Sequence, residues 1–195
     1  ALKKGIDMFT GYGMSETCPI LSLAQLTPEM LELDDDAQSD IRIKTGRPMG
    51  LVEIKVVDEK MQALPKDGMS TGEIVVRSPW LTQGYFKDQK NSEILWQGGY
   101  LHTGDMANMD ERGYIKITDR VKDIIKVGGE WVSSLELEDI IHQHPSVKEV
   151  AVIGVEDEKW GERPLALVVL DPTKPTNEKE LLIHAKEFIK KGIMA

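Results

Sequence analysis

Apolar positions along this chain recur at two spacings, and the elements follow from where each spacing holds. Leu137, Ile140, Ile141 and His144 return every three or four residues, which marks one face of a helix, and Pro145 closes the run. Ser133 stands three residues ahead of Glu136, a pairing in which each side chain satisfies a backbone N–H of the first turn, so this helix begins near Ser134. Upstream the spacing falls to two. Val52, Ile54 and Val56 alternate with Glu53, Lys55 and Val57, which predicts a half-buried strand after a turn at 46–50. Residues 72–77 read as a second strand after a loop at 64–68, and the two suggest an antiparallel meander belonging to a small barrel.

Glycines punctuate the chain beyond these strands. Gly84 and the pair Gly98-Gly99 flank a short helical stretch at 91–96, and Gly128-Gly129 between Val127 and Val132 predicts a tight hairpin, because two adjacent glycines supply positive φ cheaply. Strands are predicted at 147–155 and 165–170, separated by a loop at 158–164 that carries Trp160. Asn177 and Glu180 open a last helix with Leu181, Leu182, Ala185, Phe188 and Ile189 on one side. The fold class read from this order is α+β: a β-rich, distorted barrel-like part and then a compact α+β unit. Residues 21–44 give weak signals, and Asp34-Asp35-Asp36 reads as a solvated loop.

Composition narrows the function classes. Over 195 residues, 41% hydrophobic and 29% charged content is that of a folded globular chain, and a net charge of −9 argues against a general nucleic-acid surface. The single cysteine, Cys18, excludes an internal disulfide and a multi-cysteine zinc cage, and it fits a reducing compartment. No apolar run approaches the roughly 18 to 20 residues that span a bilayer. A cytoplasmic protein without a transmembrane segment is the expectation. The start on Ala1 and the helix signal running almost to Ala195 suggest a piece of a longer protein.

Three stretches carry candidate chemistry. In Gly11-Tyr12-Gly13-Met14-Ser15-Glu16, two glycines bracket an aromatic: either a loop that lets backbone and ring approach a flat ligand, with Ser15 for a phosphate and Glu16 for a hard cation, or a turn with a capping serine. Asp105, read as following a glycine turn, either accepts from a vicinal diol or closes an Asx turn. His102 lacks a partner histidine at metal spacing and reads as structural; His142 and His144 lie two apart, on different helix faces. The third stretch, 119–136, sets Arg120, Lys122 and Lys126 ahead of the glycine hairpin and the helix start. A charged joint of this kind can turn one domain against another.

Taken together, the motifs at 11–17, Gly72-Glu73-Ile74 with Gly84-Tyr85, Thr103-Gly104-Asp105, and the run from Asp119-Arg120 to Gly128-Gly129-Glu130 resemble, in order and spacing, those of the adenylate-forming superfamily. That superfamily comprises acyl-CoA synthetases, luciferases and peptide-synthetase adenylation domains. The run 128–134 looks most like the medium- and long-chain fatty acid–CoA ligases. The resemblance implies a carboxylic acid substrate, ATP and Mg²⁺ to form an acyl-adenylate, AMP bound as product, and coenzyme A as the thiol acceptor. A ligase for an aromatic or short acid, or one loading a carrier protein, stays open. So does a non-catalytic docking module. A homodimer is compatible with the reading.

Residue by residue, the resemblance makes Tyr12 the adenine-stacking aromatic, with Gly11 and Gly13 beside it. It makes Ser15 a phosphate contact, Glu16 the magnesium ligand, and Asp105 with Arg120 the grip on the ribose. Lys122 falls at the hinge between two domains, Lys126 reaches a phosphate in one orientation, and Gly128 and Gly129 line a pantetheine channel. Trp131 is either a gate on the acyl tunnel or a packing aromatic. The domains implied are 1–121, the end of a large AMP-binding domain, and 122–195, a small C-terminal domain stopping short of the catalytic lysine. Without that lysine and the phosphate loop, the chain alone is expected to form no adenylate.

Overall fold

The computed structural model describes residues 4–190, with side chains to residue 187. The chain divides into two compact units, Ala1–Ile117 and Thr118–Ala195. The first holds β1 (Gly11–Gly13), β2 (Ile20–Leu23), α1 (Asp35–Arg42), β3 (Arg47–Pro48), β4 (Glu53–Val57), β5 (Gly72–Arg77), α2 (Gln89–Leu95), β6 (Leu101–Met109) and the start of β7 (Ile115–Arg120). The second holds β8 (Ile125–Val127), β9 (Glu130–Val132), α3 (Ser134–His142), β10 (Val147–Asp157), β11 (Gly161–Leu170) and α4 (Glu178–Lys190). The α+β class holds, with the β-rich part first.

In the first unit a three-stranded sheet, β1-β2-β3, accompanies a four-stranded one, β4-β5-β6-β7. The predicted meander is present as an antiparallel open sheet; none of the three sheets in the described residues closes into a barrel. Its inward positions are those of the two-residue repeat: Ile54, Val56, Ile74 and Val76 are buried together with Leu101, Ala107 and Ile115. Leu21 of β2 joins the same core, and Tyr12 of β1 packs against it, so the smaller sheet is held over the larger by apolar contact.

Asp34-Asp35-Asp36 is no solvated loop. Asp34 accepts a hydrogen bond from the Ala37 N–H at 2.8 Å and caps α1, whose first turn carries Asp35 and Asp36. Carboxylates are stabilised there because the unpaired N–H groups make the helix start electropositive. The consecutive acids that looked repulsive in sequence are therefore a start signal.

The second unit is built on the hairpin β10–β11, in which Ala151 pairs with Leu167 and Val155 with Arg163. Its strands run longer than the alternation suggested, since Gly161 to Pro164 belong to β11 and the connection is only residues 158–160. Leu137 and Ile141 of α3 pack with Ile125, Val147 and Val152, and Leu181 and Ala185 of α4 lie against the same core. Phe188 and Ile189 fall outside the described side chains. The Gly128-Gly129 hairpin is as predicted: Val127 pairs with Glu130, and both glycines have positive φ, 60° and 96°.

Candidate functional site

Tyr12 and Asp105, 93 residues apart, meet in the first unit: the Tyr12 hydroxyl donates to Asp105 Oδ2 at 2.5 Å. Tyr12 is half-buried on β1, its ring against the core, and Asp105 is 5% exposed on β6. Asp105 does not follow a turn, as its glycine had suggested. Residues 101–109 form one strand, and between the pairs Glu73–Met106 and Val75–His102 three residues of β6 stand opposite the single Ile74. Gly104, with φ of 71°, takes up this bulge. The Thr103 hydroxyl donates to the Ile74 carbonyl at 2.8 Å and receives the Asp105 N–H at 3.2 Å, while the Gly104 N–H donates to Glu73 Oε1 at 3.1 Å. A bulge pinned at both sides aims the buried carboxylate at the tyrosine.

The glycines beside Tyr12 differ in role. A Cβ on Gly13 would lie 1.7 Å from the Pro19 carbonyl oxygen, so glycine is required by the chain's own return at Pro19. A Cβ on Gly11 would meet only the Leu23 and Ile20 side chains at 3.1 and 3.3 Å, with the nearest backbone atom at 3.6 Å. Ser15–Thr17 is a 3₁₀ turn in which buried Thr17 accepts from the Met14 N–H at 2.9 Å. That leaves Ser15 exposed and Glu16 half-exposed.

Glu16 is held twice by a segment that sequence reasoning left without a role. The Tyr85 hydroxyl donates to Glu16 Oε1 at 2.8 Å, and the Thr82 N–H donates to the Glu16 carbonyl at 2.9 Å. The hydrogen bond to this carboxylate holds the Tyr85 phenol above its ordinary pKa. The motif Gly84-Tyr85 was visible in sequence; that its hydroxyl reaches back to Glu16 was not. His102 is structural, its Nδ1 2.8 Å from Glu73 Oε2 and its Nε2 3.1 Å from the Gln97 carbonyl. A depression of about 490 Å³ lies here, lined by Met14, Glu73, Tyr85, His102 and Gly104 among others.

In the second unit, Asp119 is 1% exposed and serves as an internal brace. Its Oδ1 accepts from the Arg120 N–H at 2.7 Å, and its Oδ2 accepts from the Ser134 N–H at 2.6 Å and the Ser134 hydroxyl at 2.9 Å. Ser133 caps α3, accepting from the Glu136 N–H at 3.1 Å, and it donates to the Thr118 carbonyl at 2.7 Å; of the predicted reciprocal pair only this half forms, since the Glu136 side chain does not return to the Ser133 N–H. Two side chains thus fasten the start of α3 to the joint. Between them a turn returns the Asp123 and Ile124 N–H groups to the Arg120 carbonyl, at 3.0 and 2.9 Å. Arg120 and Lys122 are exposed on this turn, Lys122 Nζ lying 3.9 Å from Asp123.

The glycine hairpin is braced as well. The Lys126 N–H donates to Glu162 Oε2 at 2.8 Å, and the Gly128 N–H donates to the Trp160 carbonyl at 2.7 Å. The Trp160 ring lies against Gly128, where a Cβ would approach to 3.0 Å. Lys126 Nζ sits 4.7 Å from the centre of the Trp131 ring, a cation–π contact on the exposed side of the hairpin. The predicted site residues therefore form two groups: Gly11, Tyr12, Gly13, Ser15, Glu16 and Asp105 in the first unit, and Arg120, Lys122, Lys126, Gly128, Gly129 and Trp131 in the second.

Tyr12 thus meets a buried carboxylate, with the second carboxylate, Glu16, on the loop that follows it. Residues 1–86 match the model of the AMP-binding enzymes, and residues 136–194 match that of the AMP-binding enzyme C-terminal domain. The chain belongs to this family of adenylate-forming enzymes. Among its relatives, it is 41% identical over 178 residues to a long-chain-fatty-acid–CoA ligase of Thermus thermophilus, and 42% identical over 178 residues to a 3-methylmercaptopropionyl-CoA ligase of Ruegeria pomeroyi. Each match covers 91% of this chain and 33% of the relative, so the chain spans about a third of their length. Among solved structures, the o-succinylbenzoate CoA synthetase of Bacillus subtilis in complex with its acyl-adenylate intermediate matches with a TM-score of 0.77 and 34% identity, over 95% of this chain and 35% of that one.

Proposed function

We propose that this chain carries the nucleotide grip and the hinge of an ATP-dependent acid–thiol ligase that joins a fatty acid to coenzyme A. The observation that carries the reading is the 2.5 Å hydrogen bond between Tyr12 and Asp105, which fixes an aromatic face beside a buried carboxylate. Adenine stacks on the Tyr12 ring. The ribose hydroxyls donate to Asp105, and the motif resemblance assigns Arg120 to the same sugar. Holding the sugar fixes where the α-phosphate lies.

In the first half-reaction the substrate carboxylate attacks the α-phosphorus and pyrophosphate leaves; in the second the thiolate attacks the acyl carbonyl and AMP leaves. The exposed Ser15 hydroxyl donates to phosphate. Glu16 offers one half-exposed carboxylate, which fits Mg²⁺, an ion bound through one or two carboxylates together with substrate phosphates. When bound there, that ion neutralises phosphate charge. Lys122, on the exposed turn, is the pivot between residues 1–121 and 122–195 as the two domains, and Lys126 meets the nucleotide phosphate in one orientation. Gly128 and Gly129 present a side-chain-free ribbon to pantetheine, and Trp131 flanks the acyl path.

A fatty acid is favoured by the resemblance of residues 128–134 to fatty acid–CoA ligases and by the Thermus relative. The test is ATP–pyrophosphate exchange by the full-length protein against acids of graded chain length, with aromatic acids alongside. Exchange that rises with aliphatic length supports the reading, and exchange driven only by aromatic or short acids overturns the fatty-acid assignment.

A further inference from the structure

Beyond the residues that the motifs assign, Glu16 depends on a strap formed by residues 82–85. The strap touches it at two points, the Thr82 N–H on its carbonyl at 2.9 Å and the Tyr85 hydroxyl on its carboxylate at 2.8 Å. The strap is itself fastened to the α2 segment. Trp96 Nε1 donates to the Thr82 carbonyl at 3.1 Å, and the Tyr85 N–H donates to Ser92 Oγ at 2.8 Å. Ser92 Oγ in turn donates to the Asp88 carbonyl at 2.6 Å. Gly84 lets the strap lie this close, since a Cβ there would stand 2.6 Å from Ser92 Oγ.

We infer that Tyr85 is a positioning residue for the cation that accompanies the nucleotide: its hydroxyl holds Glu16 Oε1 and restricts the side chain, leaving Oε2 as the oxygen that would meet the metal. A glutamate has three side-chain torsions, and a half-exposed one spends most of its time away from any single geometry. A donor on one oxygen removes that freedom before the metal arrives, and outer partners of this kind are worth about 10- to 100-fold in metal affinity. The inference rests on the proposed ligase reading for its ligand, Mg²⁺ with ATP, and on the geometry of Tyr85, Ser92 and Trp96 for its residue.

The experiment compares the full-length wild-type protein with Tyr85→Phe, Glu16→Gln and the double variant. Free Mn²⁺ is titrated in the presence of ATP and followed by its electron paramagnetic resonance, and the Mg²⁺ dependence of pyrophosphate exchange is measured in parallel. Tyr85→Phe keeps the ring and removes only the hydroxyl, so melting should stay close to wild type. About tenfold weaker Mn²⁺ binding is expected, with a matching rise in half-saturating Mg²⁺ and recovered exchange at high Mg²⁺. In the Glu16→Gln background the same change should do nothing further. Unchanged Mn²⁺ affinity in Tyr85→Phe, or an equal additional loss in the Glu16→Gln background, overturns the inference. Absence of exchange and of ATP-dependent Mn²⁺ binding in the wild type overturns the ligase reading instead.

Discussion

Asp67 shows how much a single exposed side chain can fix in this protein. Its Oδ1 accepts from the Met69 and Ser70 N–H groups at 2.8 and 2.7 Å, and its Oδ2 accepts from the Ser70 hydroxyl at 2.7 Å. The Ser70 hydroxyl leads the three in holding the Asp67 carboxyl down, to about 2 from the ordinary 3.8. A pKa lowered by folding means stability that is present above the ordinary carboxylate value and lost as pH falls through the folded value, here between about 4 and 2. A carboxyl titration followed by NMR should place Asp67 near 2 and move it up towards 3.8 in Ser70→Ala. An Asp67 that titrates alike in both proteins would show that the loop at 67–70 is not closed in this way.

Among the elements, α3 has the start that matters most, because it is attached to the joint that carries Arg120 and Lys122. The local pattern Ser133-x-x-Glu136 was legible in sequence, and so was the hairpin of Gly128-Gly129, since both signals lie within a few residues. What sequence could not show is that the carboxylate bonded at the first turn of α3 is Asp119, fifteen residues upstream, and not Glu136. Removing it strands the Ser134 N–H in a buried site, so Asp119→Ala should cost about 2 kcal/mol in chemical denaturation followed by tryptophan fluorescence. Asp119→Asn, which keeps acceptor capacity, should lose less. The same distance limit explains other misreadings. Thr103-Gly104-Asp105 looked like a turn because the Glu73–Val75 segment that makes it a bulge lies about thirty residues away in sequence. Asp34 was read for its charge when its position ahead of a helix decided its role.

At the scale of the whole molecule, the candidate site divides by the range of its interactions. The family resemblance implied a nucleotide enzyme and proposed roles for Tyr12, Glu16, Asp105 and Arg120, yet the contacts Tyr12–Asp105 and Tyr85–Glu16 cross 93 and 69 residues and needed the fold. The proposed division of labour between the two domains makes a separate claim on Lys122. Because proline fixes φ, Lys122→Pro in the full-length protein should spare ATP–pyrophosphate exchange and slow thioester formation by at least about tenfold. Equal loss of both half-reactions would contradict the pivot.

The proposed nucleotide grip is tested most directly by ATP–pyrophosphate exchange in full-length Asp105→Ala, measured over a range of ATP with the acid that best drives the wild type. On the proposed role of Asp105 in holding the ribose, its removal should lower exchange per unit ATP by about 100-fold or more, with the fold retained by circular dichroism. Wild-type exchange in that variant, at the same half-saturating ATP, would contradict the assignment of Tyr12 and Asp105 as the site where the nucleotide is held.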